Sequence, residues 1–198
     1  MILSCLIISI MLYGSAKAQI RVELQCRSDL FYASLDSAKK QVGVKEKTGR
    51  NDGYKIRLYL ASIGLKEGYP YCMAGQYWCF KVSASALLLP SSFIPIDRTG
   101  TANVMFNSAS KKGKRTKYEA NLGDLIIWKY GNSISGHVER IFNEKRAGWV
   151  DCVGFNTSNG KIGSQREGNG VFITERNIYS PIGRMQIRGL VGFKLMKS

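Results

Sequence analysis

Hydropathy in this chain changes period once, near Gly123, and that change limits the folds open to it. Before it, apolar side chains recur at helical spacing: Phe31, Leu35, Ala38 and Val42 over residues 28–42, with Ser28 placed as a cap, then Ile56, Leu60 and Ile63 over residues 54–63, closed by Gly64. A loop from Leu65 ends at Pro70, which suits the start of a third helix running from Tyr71 or Cys72 to Ala86. Met73, Ala74, Tyr77, Trp78, Cys79 and Val82 make that helix apolar nearly all round, which predicts burial. Residues 101–110 read as a short fourth helix, and residues 111–117 as a basic, Gly-interrupted loop. Beyond Gly123 the runs are short and strand-like, over residues 125–128, 136–142, 148–155, 170–174 and 190–195. Helices followed by strands predict an α+β domain, a helical N-terminal half packed on an antiparallel sheet.

Residues 1–18 carry an apolar stretch that closes on Ala16, Lys17 and Ala18, the small-x-small pattern of a signal peptide. The stretch is shorter than the roughly 20 residues of a bilayer span, so the expectation is an exported chain with one domain over residues 19–198 and no stable membrane span. With 44% hydrophobic and 22% charged residues, the composition is that of a folding domain and excludes disorder. Formal net charge is +15, and the loss of Lys17 changes it little. So basic a chain calls for an anionic partner. Export makes peptidoglycan or another anionic polymer of the cell envelope, periplasmic or extracellular, the expected one in preference to nucleic acid. Plain solubility is the alternative reading of the same charge.

Cys72 stands where a proline-containing loop meets the start of a buried helix. Unpaired backbone N–H groups and the helix dipole there favour a thiolate and can stabilise an oxyanion. The plainer reading is a small buried cysteine. His137 is the one histidine in the chain, and it follows Gly136 at the start of a strand. It is either the single available base for a thiol nucleophile or an ordinary satisfied side chain. Residues 143–148 read as a hairpin loop; a turn centred between Lys145 and Arg146 sets His137 opposite Gly154 and diagonal to Asn156, on one sheet face. Asn156 could then orient the imidazole, or be a simple turn residue. Cys79 returns to the helix face of Cys72 two turns deeper and should be core. One histidine and no repeated Cys-x-x-Cys argue against a metal site, and no cofactor is expected. In an oxidising compartment Cys26 and Cys152 would be the pair for a disulfide, since Cys79 belongs to the core and Cys72 must stay reduced to react.

Four pieces in order, Gly68-Tyr-Pro-Tyr-Cys-Met-Ala-Gly-Gln-Tyr-Trp-Cys79, Gly123-Asp-Leu-Ile-Ile-Trp128, Gly136-His-Val138 and Gly154-Phe-Asn-Thr-Ser158, resemble the CHAP domain, the cysteine, histidine-dependent amidohydrolase/peptidase group of the NlpC/P60-like, papain-related hydrolases. The resemblance covers roughly residues 36–180. It implies a papain-like fold, Cys72 as nucleophile, His137 as general base and Asn156 as orienting residue. It further implies cleavage of peptidoglycan through a cysteine thioester, as an N-acetylmuramoyl-L-alanine amidase or an endopeptidase. The family often carries Glu two residues before the Asn, where this chain has Gly154. That departure leaves a second expectation standing, an inactive envelope-binding or structural protein on the same fold. A basic exported nucleic-acid binder is a third.

Overall fold

Alternation of Val22, Leu24 and Cys26 with Glu23, Gln25 and Arg27 builds a strand, β1 (Ile20–Arg27), ahead of any helix. The computed structural model describes residues 19–159 and 168–197; residues 1–18, which hold the expected signal peptide, lie outside them. Four α-helices follow among the described residues: α1 (Ser28–Lys39), α2 (Tyr54–Ser62), α3 (Cys72–Ala86) and α4 (Ala102–Lys112). The remaining strands are β2 (Lys114–Thr116), β3 (Leu125–Tyr130), β4 (Gly136–Glu144), β5 (Trp149–Thr157), β6 (Gly170–Asn177) and β7 (Met185–Met196). They join β1 in one seven-stranded sheet of order β2-β1-β7-β3-β4-β5-β6.

Three expectations are corrected here. The N-terminal half is not purely helical, because β1 enters the sheet first. The sheet is mixed, because β1 runs parallel to β7 while the other pairs are antiparallel. A parallel pair needs a long crossover, and the whole chain between β1 and β7 supplies it. The basic stretch is not a loop either: Lys111 and Lys112 end α4, and Lys114–Thr116 is the short edge strand β2. Short, lysine-bearing edges resist pairing with other chains.

Side chains of β1, β3 and β7, among them Val22, Leu125, Ile127 and Val191, meet Leu30, Phe31, Phe80, Met105 and Phe106 from the helices. The opposite face buries Ile126, Trp128, Ile141, Cys152 and Leu190 beneath Ile178, Ile182 and Met185. Arg140, fully buried, fastens the helices to the sheet. It donates to the carbonyl of Gly123 and to Ser34 Oγ, and its guanidinium lies 4.6 Å from the Phe80 ring centroid. Asp124 of the Gly-Asp pair is equally buried and takes Arg21 Nε at 2.8 Å and Nη2 at 3.1 Å, tying β1 to the start of β3. Burial lifts its carboxyl to about 6, and Arg21 opposes that rise.

Cys26 and Cys152 form no disulfide. They lie on strands four places apart in the sheet, about 19 Å at the usual strand spacing, and in cores on opposite faces. A bridge requires Cα atoms within roughly 7 Å.

Candidate active site

Pro70 and Tyr71 deliver the chain to α3 with Cys72 as its first helical residue. The turn is braced from behind: Tyr71 Oη donates to Glu46 Oε1 at 3.2 Å, and Gly68 N–H donates to the Asn51 carbonyl. Farther along, α3 presses on β5 at Gly75, where a Cβ would fall 2.1 Å from the Phe155 ring, so only glycine lets helix and sheet approach this closely. The first-turn amides of α3 have no intrahelical acceptor. Cys72 is 4% exposed and forms part of the wall of a cleft of about 460 Å³, with Tyr69, Pro70, Thr101 and Gly136. Of the four cysteines in the described residues it is the one that lines a cleft. Burial pushes the Cys26 and Cys79 thiols up to about 12 and Cys152 well above its ordinary value. Cys79, fully buried, is core as its spacing predicts.

β4 supplies the histidine. Gly136 precedes it because a Cβ there would meet the Trp128 carbonyl oxygen at 2.1 Å and Asn103 Nδ2 at 2.4 Å. Asn103 Nδ2 in turn donates to the Ile134 and Ser135 carbonyls and fixes the approach to the strand. His137 is fully buried against Trp128 and in contact with Cys72. Its Nε2–H donates to Glu139 Oε1 at 3.0 Å. That leaves Nδ1 available to the thiol, and Nδ1 has no hydrogen-bond partner among the described residues.

Glu139 is the residue that the spacing argument missed. It follows His137 by two, hence shares its strand face. Arg176 donates to it twice, from Nε at 2.9 Å and Nη2 at 2.7 Å, and Thr174 Oγ1 donates a short hydrogen bond. Burial alone would raise this carboxyl, yet His137 and Arg176 hold it down at about 2. At neutral pH it is therefore a carboxylate, an acceptor only, and the Nε2 proton is assigned by that fact. Burial likewise works against a charged His137, but the contacts with Cys72 and Glu139 prevail and keep its pKa at about 9. A thiol beside a charged, oriented imidazole at a helix N-terminus is equipped for acyl transfer.

The hairpin register differs from the expected one. Glu139, not His137, pairs with Gly154, a shift of two residues caused by a bulge between Ile141 and Asn143 and by Ala147 at φ 55° in the turn. An even shift keeps every side chain on its face. Asn156 is buried at a second bulge, between β5 and β6, with φ 53°, a left-handed conformation that asparagine tolerates better than most residues. Glu139 holds the position on Nε2.

Against known protein families, the sequence matches the CHAP domain over residues 64–165, about half the chain and every residue of this constellation except Thr174 and Arg176. The chain belongs to the CHAP domain family. CHAP domains are cysteine/histidine amidohydrolases or peptidases, typical of cell-wall hydrolases, and have a papain-like fold. No curated protein and no solved structure matches the chain. At Gly154, where the resemblance implies a Glu, the geometry leaves no room for a side chain: a Cβ there would lie 2.7 Å from Thr157 Cγ2 and 2.9 Å from Glu139 Oε1. Glu139 of the neighbouring strand fills the space above that glycine. Among the described residues no three histidine, cysteine or carboxylate side chains group as metal ligands, and no helix is long and apolar enough to cross a membrane.

Proposed function

We propose that this CHAP domain hydrolyses amide bonds of peptidoglycan, with Cys72 as nucleophile, His137 as base and then acid, and Glu139 as the residue that orients His137. The observation carrying this reading is the imidazole held between two partners, a buried carboxylate on Nε2 and the cleft-wall thiol on its other side. His137 Nδ1 holds the proton given up by the thiol, and Sγ adds to the scissile carbonyl carbon. The tetrahedral intermediate expels the amine as Nδ1 returns the proton to nitrogen. This leaves a thioester and a freed amine. Water, deprotonated at Nδ1, attacks the thioester; the C–S bond breaks, the acid departs and the thiol is restored.

Asn156, the orienting residue expected from spacing and from the resemblance, is given a supporting role here, at a bulge that shifts the β5–β6 register. Glu139 in the space above Gly154 supports the active reading over the second one, an inactive envelope-binding or structural protein on the same fold. The cleaved bond is either the amide to the sugar lactyl group or one within the peptides. Residues 1–18 fit export to the envelope, leaving a single domain over residues 19–198, and the basic β2 edge suits an anionic wall polymer. Iodoacetamide provides the test. Alkylation of Cys72, followed by peptide mapping, should abolish clearing of a suspension of purified walls, whereas full activity with Cys72 completely alkylated rejects the assignment.

A further inference from the structure

The cleft in front of Cys72 contains one charged side chain among its lining residues, and it is a cation, Arg98. Its surroundings are apolar or uncharged: Ile63, Leu65, Ile134, Thr99 and Thr101. Arg98 Nε donates to the Ser62 carbonyl, the last residue of α2, at 3.0 Å. Nη2 rests beside Gly64, where an added Cβ would be 3.3 Å away. The stem of the guanidinium is thus held while the head remains exposed. No carboxylate in the described residues forms an ion pair with it; its neighbour Asp97 is engaged by Lys112 Nζ at 2.6 Å. A planar fork of N–H donors, anchored at one edge and facing a cleft that offers no anion, matches a carboxylate in geometry and charge.

We propose that Arg98 is a specificity-determining residue that binds a free carboxylate on the substrate next to the scissile amide, so that this enzyme selects peptides with an unamidated acidic group at that position. The inference rests on the assignment of Cys72 as nucleophile, which fixes the cleft as the substrate's place. A carboxylate on Arg98 would hold the peptide along the cleft with its amide carbonyl toward Sγ, and the apolar walls would strengthen the pair by excluding water. A carboxamide cannot reproduce the charge-assisted contact.

The probe is a pool of muropeptides with free carboxylates and the same pool amidated by carbodiimide and ammonia. The wild-type protein should show a lower KM for the free-acid pool. Arg98→Gln should raise that KM by roughly 10- to 100-fold, the range of a charge-assisted hydrogen bond, leave KM for the amidated pool unchanged and alter kcat little. Arg98→Lys should recover part of the preference. Equal losses on both pools in a folded Arg98→Gln protein would overturn the proposal. A separate arm needs no turnover: in a Cys72→Ala background, the free-acid pool should bind more weakly when Arg98 is also Gln. An inactive wild type with that binding difference intact would refute the hydrolase reading alone. Identical binding by the two variants would refute the carboxylate site alone.

Discussion

Replacing Glu139 by glutamine removes a buried charge while keeping the side chain's volume, so its consequences can be read as those of the charge. The carboxylate is fully buried and accepts from His137, Arg176 and Thr174. Without it, Arg176, whose side chain is 11% exposed, and the imidazolium are left facing a neutral amide. Breaking a buried pair from one side costs about 3–5 kcal/mol, which urea unfolding would measure. The pH dependence carries more information. Because contacts in the fold raise the His137 pKa to about 9 from an ordinary 6.5, His137 adds stability that is fully present below pH 6.5 and lost as pH rises through 9. Glu139, held at about 2 against an ordinary 4.5, adds stability present above pH 4.5 and lost as pH falls towards 2. Glu139→Gln should erase the acid dependence and weaken the alkaline one, since Cys72 also raises the His137 pKa. As the chain has a single histidine, its imidazole can be titrated by NMR without ambiguity. The wild-type midpoint should lie near 9 and fall markedly in the variant. The alkaline limb of kcat/KM should move with it, and turnover should drop by roughly 10²-fold, at the low end for a positioned proton-transfer group. A variant whose imidazole titrates as in the wild type, with unchanged turnover, would refute the claim that Glu139 sets the state and orientation of His137.

Other substitutions separate chemistry from packing. Cys72→Ala and His137→Ala should be folded and inactive, Asn156→Ala partly active, and Cys79→Ala active but less stable by about 1 kcal/mol, as for loss of a small buried group; activity and thermal unfolding measured on all four give the ranking. Gly154→Ala should push the Glu139 carboxylate off its place and lower activity, at an overpacking cost of about 1–3 kcal/mol, checked by kinetics and melting. Neutralising Lys111, Lys112, Lys114, Arg115 and Lys117 together should weaken cosedimentation with walls and flatten its salt dependence, leaving turnover on soluble fragments unchanged.

The helices and the proposed nucleophile were legible because their signals are local. Pro70 followed by an apolar run fixes the start of α3 at Cys72, and a lone histidine after Gly136 needs no tertiary contact to attract notice. β1 had its own signal in Val22, Leu24 and Cys26, but eight residues next to an expected cleavage site carry no trace of the parallel pairing with β7, which depends on a partner 169 residues away. The hairpin register failed for a similar reason: one bulge and one left-handed Ala147 displace it, and neither has a reliable sequence mark. Glu139 could have been found by extending the two-residue period from His137. Its partners Thr174 and Arg176 come from β6, beyond the reach of any spacing argument.

The most direct measurement is mass spectrometry of the soluble fragments released from purified peptidoglycan by the wild-type protein and by Cys72→Ser. The account predicts new amine and carboxylate termini from a single kind of amide bond, growing with time in the wild type and absent with Cys72→Ser. Fragments ending only in cleaved glycan, or equal release by the serine variant, would contradict it.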